Sequence, residues 1–129
     1  MPLFHAVGFY SALLTTLSLN GTYFVHSAFE PSTAVEAIRK HKLTYIFGAP
    51  AQFHAILAAR NFNPADMTSV DTLVYAGAAM PGPLLDRVKP AFPEAAITNI
   101  YGTTEVMNAL YMPDPVGKPL HYRPGFYSS

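Results

Sequence analysis

Apolar and polar positions change rhythm at short intervals along the chain, and each change marks an element. Residues 8–19 (GFYSALLTTLSL) are apolar nearly all round, the pattern of a buried helix, and Asn20-Gly21 supplies the turn that ends it. Residues 22–26 (TYFVH) are aromatic and β-branched and predict a short strand. Residues 31–42 open with Pro-Ser-Thr and place Ala34, Val35, Ile38 and His41 near helical spacing, so an amphipathic helix is expected. A second strand follows at 43–47 (LTYIF), punctuated by Gly48-Ala49-Pro50, and then a helix at 51–60. Residues 61–69 read as a polar loop and 72–75 (TLVY) as a third strand, ending in Ala76-Gly77-Ala78-Ala79-Met80-Pro81. A helix at 84–92 lies between prolines, and a fourth strand at 96–100 (AITNI) runs into Tyr101-Gly102-Thr103-Thr104-Glu105. From Pro113 onward Pro and Gly accumulate, as in a surface loop or a loose end.

Alternating strands and helices predict an α/β fold with a mostly parallel sheet flanked by helices and joined by right-handed crossovers. Strands covered on both faces read as continuous apolar runs, as these do. In open sheets of this kind ligands sit beyond the carboxyl ends of the strands. Three segments fall there: residues 47–50, 76–81 and 101–105. No internal repeat or low-complexity tract interrupts the chain.

Composition sharpens this picture. With eight basic and eight acidic residues the formal charge is zero, which gives no field to draw in nucleic acid or an anionic membrane. Only 12% of residues are charged, against about 25% in a typical soluble chain. A small domain needs charge to cover its surface, so this chain is expected either to bury surface against a partner or to be a segment of a larger domain. There is no cysteine, which excludes disulfides and thiolate metal sites. The apolar start lacks the basic region of a secretory leader, and no run is long and uninterrupted enough to span a membrane. A cytoplasmic protein without membrane or nucleic-acid partners is expected.

The segment Tyr101-Gly102-Thr103-Thr104-Glu105 holds the most chemistry. Gly102 permits close backbone approach, the two hydroxyls can hold phosphate oxygens, Glu105 is a hard oxygen ligand suited to Mg²⁺, and Tyr101 can stack on a base. The same spacing also serves a strand-to-helix turn in which Thr104 caps and Glu105 favours a helix start, and from spacing alone that turn is the more frequent outcome. The small residues at 76–81 leave room for a flat ligand or for close helix packing. His5 lies in an apolar loop before the first helix, where it can donate to a carboxylate or simply be a satisfied structural histidine. His26, His41, His54 and His121 lack metal-ligand spacing. Paired carboxylates, a serine elbow and a glycine-rich phosphate loop are all missing from the sequence.

Residues 1–9 (MPLFHAVGF), 75–81 (YAGAAMP) and 99–105 (NIYGTTE), in this order and at these separations, resemble the adenylate-forming superfamily of acyl- and aryl-CoA synthetases, luciferases and peptide-synthetase adenylation domains. The similarity continues through Asn20-Gly21-Thr22-Tyr23, residues 106–112 and Pro124-Gly125-Phe126, and so covers essentially the whole chain. The resemblance implies a two-step reaction: ATP and a carboxylic acid give an acyl-adenylate and pyrophosphate, and coenzyme A then displaces AMP. It implies that Tyr101 stacks on adenine, with Gly77, Ala78, Gly102 and Thr103 also at the nucleotide. Thr104 would meet the α-phosphate and Glu105 would hold Mg²⁺. His5 would sit by the substrate carboxylate, with His5, Thr104 and Glu105 forming the catalytic set. Ala6, Val7, Phe47, Ala76, Ile100, Gly102, Met107 and Asn108 would surround an aromatic ring of the 4-chlorobenzoate kind, in a flat apolar slot.

Departures from the family pattern matter as well. The family's phosphate loop ending in Pro-Lys is expected upstream of Met1, and its ribose-binding aspartate, hinge and lid lysine beyond Ser129. The resemblance therefore implies that residues 1–129 form one partial domain, an internal piece of the family's N-terminal domain, with little turnover alone. Two alternatives stay open: a non-catalytic module that self-associates through exposed apolar faces, and a piece of a fatty acyl-CoA synthetase or adenylation domain.

Overall fold

The computed structural model describes residues 3–106 and 110–113, the last four as backbone only. The chain enters through Val7–Leu14, wound as a π-helix, which continues into one α-helical turn, α1 (Thr15–Ser18). Asn20, at φ 57°, turns the chain back, and the Gly21 N–H donates to Thr16 O at 2.8 Å. A Cβ on Gly21 would lie 2.9 Å from Thr16 Cγ2, so this close approach requires glycine. The helix expected at 8–19 is present, but it is not buried. Only Gly8, Ser11 and Ala12 are covered, while Leu17 and Leu19 are 55% and 77% exposed. A helix that is apolar all round stays dry only when neighbours cover every side, and here one narrow stripe has a neighbour.

The strand expected at 22–26 does not form; the segment has no regular structure and joins no ladder. β-Propensity expresses fit to a pleated neighbour, and without pairing an aromatic, β-branched run stays irregular.

The remaining elements follow the expected alternation. Helix α2 (Pro31–His41) begins at Glu30, whose carboxylate accepts from the N–H groups of Ser32 (3.1 Å) and Thr33 (2.6 Å). It ends at Lys42, left-handed at φ 51°. Strand β1 (Tyr45–Gly48) leads into α3 (Pro50–Leu57), and a short 3₁₀ turn, Pro64–Met67, stands within the segment read as a plain loop. Strand β2 (Thr72–Tyr75), helix α4 (Gly82–Ala91) and strand β3 (Ala96–Tyr101) complete the parallel part. Strand β4 (Leu110–Pro113), which carried no signal in the sequence reading, pairs antiparallel with β3.

The sheet order is β1-β2-β3-β4, with β1, β2 and β3 parallel. This is the α/β arrangement expected. Pairing in register puts Ile46, Leu73 and Ile97 on one face, and α2, α3 and α4 supply Val35, Ile38, Phe53, Ile56, Leu84, Leu85 and Val88 to the same core. Phe53, Leu73 and Val88 are fully buried. Burying side chains of this size contributes roughly 1.5–3 kcal/mol each, enough to hold the helices on that face. Residues of the alternate parity, Phe47, Val74, Thr98 and Ile100, line the opposite face. The core thus fixes which residues remain available at the sheet's other face and at its carboxyl edge.

Candidate functional site

Three parallel strands end at one edge of the sheet, β3 running two residues beyond the other two. Gly48 of β1 pairs with Tyr75 of β2, which pairs with Asn99 of β3. The turns that follow therefore share one edge of the sheet. The Gly48-Ala49-Pro50 turn is held by Gln52, whose Oε1 accepts the Ala49 N–H at 2.9 Å. At β2 the Ala76 N–H donates to Gly48 O at 3.2 Å, and Asn99 Nδ2 donates to Tyr75 O at 3.1 Å. Gly77 then takes φ +85°, a conformation open to glycine and strained for other residues. Gly77 and Ala78 are exposed, and Ala76 is buried.

Beyond β3 the residues Gly102, Thr103, Thr104 and Glu105 are all exposed, and Tyr101 is 47% exposed. Residues 104–106 form a turn, and the residues that follow it, 107–109, lie outside the described ones. The Glu105 carboxyl is held below its ordinary pKa of 4.5, first by its own backbone N–H and then by the Thr103 hydroxyl. It is therefore an anion at neutral pH, oriented by two donors and open to solvent.

Side-chain parity divides the edge into two halves. Phe47 and Ile100, both expected around an aromatic ring, project to the sheet face opposite α2–α4. Tyr101, one residue on, projects to the other side of β3. Phe47 and Ile100 therefore stand on one side of the sheet and Tyr101 on the other, with the segment 102–105 following the strand end.

His5, Ala6 and Val7 lie at the start of the π-helix, and His5 is exposed. The hydrogen bonds described for His5 are local: its Nδ1 accepts from the Val7 N–H at 3.3 Å and its carbonyl from the Phe9 N–H at 3.0 Å. An accepting Nδ1 places the proton of the neutral ring on Nε2, which is then a donor. Met107 and Asn108 lie outside the described residues.

An open cleft of about 470 Å³ is lined by residues of β1 together with Ser11, Ala12, Tyr23, Phe24, Ile38 and Phe53. Of the candidate ligand-contacting residues named from sequence its lining includes Phe47 alone. Two residues overlooked in the sequence hold the edge together, Gln52 and Asn99. The signal for Gln52 was its place three residues after the helix start; for Asn99 it was a carboxamide inside a strand.

A family model described as AMP-binding enzyme matches residues 1–125. The chain is 38% identical over 128 residues to a 4-chlorobenzoate--CoA ligase of an Arthrobacter species, covering 99% of this chain and 24% of that protein. It is 36% identical over 104 residues to a feruloyl-CoA synthase of an Amycolatopsis species, covering 81% of this chain and 21% of the other. Among solved structures, the O-succinylbenzoate coenzyme A synthetase of Bacillus subtilis in complex with ATP and magnesium superposes with a TM-score of 0.73 at 25% identity, over 88% of this chain and 23% of that one. The chain thus spans about a quarter of the length of the relatives it matches. With one family model running from residue 1 to residue 125 and a parallel sheet whose carboxyl edge carries its motifs, the chain belongs to the AMP-binding enzyme family.

Proposed function

We propose that residues 1–129 are a partial domain of an ATP-dependent carboxylic acid:CoA ligase that activates an aromatic acid through an acyl-adenylate. The observation that carries the reading is the alignment of three strand ends, which places the turns after Gly48, Tyr75 and Tyr101 on one edge. The aromatic preference is supported by the relatives, whose names specify 4-chlorobenzoate and feruloyl substrates, and by the placement of Phe47 and Ile100 on one sheet face.

In the first step a carboxylate oxygen attacks the α-phosphorus of ATP, the bond to the bridging oxygen breaks, and pyrophosphate leaves with the electron pair. In the second, the sulfur of coenzyme A attacks the acyl carbon, AMP departs, and the thiol proton passes to solvent. This chain's residues orient and stabilise. Tyr101 stacks on adenine beside Gly77 and Ala78. Thr103 and Thr104 offer hydroxyls at the α-phosphate, and Gly102 lets the backbone approach. His5 donates its Nε2–H to the acid's carboxylate, while Ala6, Val7, Phe47, Ala76 and Ile100, with Met107 and Asn108, enclose the ring. Catalysis by positioning and charge stabilisation needs no nucleophilic side chain.

Glu105 fits a magnesium site. It is an exposed, oriented carboxylate, and among the described residues no group of three or more His, Asp or Glu gathers into an all-protein cage. Mg²⁺ is commonly held by one or two carboxylates together with phosphate oxygens, and its chemistry there is to neutralise phosphate charge.

Titrating the chain with AMP and with ATP plus Mg²⁺ tests the reading. Glu105→Gln is expected to weaken the Mg²⁺-dependent component and leave the fold intact. No nucleotide binding by the parent chain refutes the proposal, and an unfolded variant shows that Glu105 serves the turn alone. We expect the 129-residue chain to release little AMP by itself from ATP, coenzyme A and 4-chlorobenzoate; robust release refutes that part. Competition between benzoates and medium-chain fatty acids distinguishes an aryl from a fatty acyl preference.

One observation favours a second reading, a self-associating module. Phe4, Tyr10, Leu17, Leu19, Val25 and Phe29 are all exposed near the N-terminal end of the chain. Sedimentation at rising concentration tests it, and a monodisperse monomer counts against it.

A further inference from the structure

Asn20-Gly21 is the one place in the sequence where an asparagine precedes a glycine; Asn61, Asn63, Asn99 and Asn108 precede Phe, Pro, Ile and Ala. The pairing matters chemically, because glycine has no Cβ to hinder attack by its own backbone nitrogen on the carboxamide before it. Among the described residues, Asn61, Asn63 and Asn99 use their side chains in hydrogen bonds, with Ser32 O, the Ala65 N–H and Tyr75 O. Asn20 engages its backbone alone, and both Asn20 and Gly21 are exposed.

The backbone closes α1 in a defined way. The Gly21 N–H donates to Thr16 O at 2.8 Å and the Asn20 N–H to Leu17 O at 3.0 Å, the nested pair of bonds that ends a helix on a left-handed residue. Asn20 is that residue, at φ 57°. The nitrogen that would attack the Asn20 carboxamide is therefore engaged: its hydrogen is shared with Thr16 O, and it is not free to turn toward Cγ. The closure is weakly supported. Helix α1 is a single turn with no buried residue, so it belongs to the parts of the fold that open first.

We propose that Asn20-Gly21 is a deamidation site gated by this left-handed turn, with water as the only co-reactant. When the turn opens, the Gly21 nitrogen loses its proton to solvent hydroxide and attacks Asn20 Cγ. A C–N bond forms and closes a succinimide ring; the Cγ–Nδ2 bond breaks, and ammonia leaves with its electron pair and a proton from solvent. Water then adds at either ring carbonyl and opens the ring, giving aspartate, or isoaspartate in which the chain runs through Cγ. Aspartate sets a negative charge against the carbonyl end of α1, where the helix dipole opposes it. Isoaspartate lengthens the backbone, which the 2.8 Å bond from Gly21 to Thr16 does not tolerate. Either product loosens the turn into residues 22–26, and Leu19 and Gly21 line the open cleft together with β1.

The test compares deamidation with amide exchange. The 129-residue chain is held at mildly alkaline pH, folded and in urea, and proteolytic peptides are weighed for Asn20, with Asn61 as the internal reference. In urea Asn20 is expected to react faster than Asn61. Two net hydrogen bonds correspond to about thirtyfold, so Asn20 in the folded chain is expected to react more slowly than in urea by about that factor. Leu17→Gly weakens the turn without touching the reacting pair. Glycine's lower helix propensity is expected to speed deamidation about fivefold, and amide exchange at Gly21 by the same factor. Should Leu17→Gly unfold the chain, urea added below the unfolding transition supplies the same comparison. Asn20→Asp, standing in for one product, is expected to raise exchange at Gly21. A chain whose Asn20 does not react in urea overturns the site. Equal rates in the folded and unfolded chains overturn the gate, and so does deamidation that fails to follow exchange at Gly21.

Discussion

Gly77 and Gly82 are a matched pair that isolates backbone strain at the candidate site. A Cβ built on either glycine meets nothing within 4 Å, so an added methyl neither gains nor loses packing. Gly77 sits at φ +85°; Gly82 opens α4 without a positive φ. Replacing either by alanine restricts the unfolded chain, a stabilisation of roughly 0.4–1 kcal/mol. Only at Gly77 does alanine also enter the left-handed region, at a cost of roughly 1–2 kcal/mol. The entropic contribution is common to both variants and cancels in their difference. Gly82→Ala is thus expected to stabilise, Gly77→Ala to destabilise, and the two to differ by the strain alone, about 1–2 kcal/mol. With a urea dependence of about 1–3 kcal/mol per molar for a small protein, the unfolding midpoints separate by about 0.3–2 M. The chain has eight tyrosines and no tryptophan, so far-ultraviolet circular dichroism with tyrosine fluorescence follows the transition. Midpoints that move together, in the same direction and by the same amount, refute the reasoning: the turn after β2 would then not be left-handed in solution.

Phe53, fully buried between α3 and the sheet, is expected to cost about 3–5 kcal/mol when truncated in Phe53→Ala, read by the same urea transition; a loss below about 1 kcal/mol contradicts the assigned core. The folded pKa of Glu105 is depressed, so its contribution to the turn is present above the unfolded value near 4.5 and is lost as pH falls through the lower folded value. Carboxyl NMR is expected to show Glu105 titrating below 4.5 and moving upward in Thr103→Val, whereas an unmoved midpoint rules out the hydroxyl as a cause. Glu30 behaves in the same way at the start of α2: donors from Thr33 come first among those lowering its pKa, and Thr33→Val is expected to raise the Glu30 midpoint and fray the first turn in amide exchange.

Elements whose pattern is satisfied locally were legible without coordinates. Helix α2 has polar and apolar positions at the period of one helical face and a proline at its first turn, and β2 and β3 are short runs rich in β-branched and aromatic residues that end within two residues of a glycine, Gly77 or Gly102. Elements that need a neighbour were misread. Residues 22–26 have strand propensity and no ladder, and residues 8–19 have the composition of a buried helix with a cover on one stripe only. Strand β4 went unread because its partner, β3, is an antiparallel neighbour that no local period announces.

The sequence by itself determined the α/β alternation, the family, and the three turns rich in small and hydroxyl residues, because each depends on residue type and order within a few positions. Tertiary structure alone decided that those turns share one edge, that Phe47 and Ile100 face away from the helices while Tyr101 faces the other way, and that Asn99 ties β2 to β3. The reason is physical. Strand register and side-chain parity are set by pairing between segments more than 20 residues apart, and a period read along one segment carries no information about where its partner will stand.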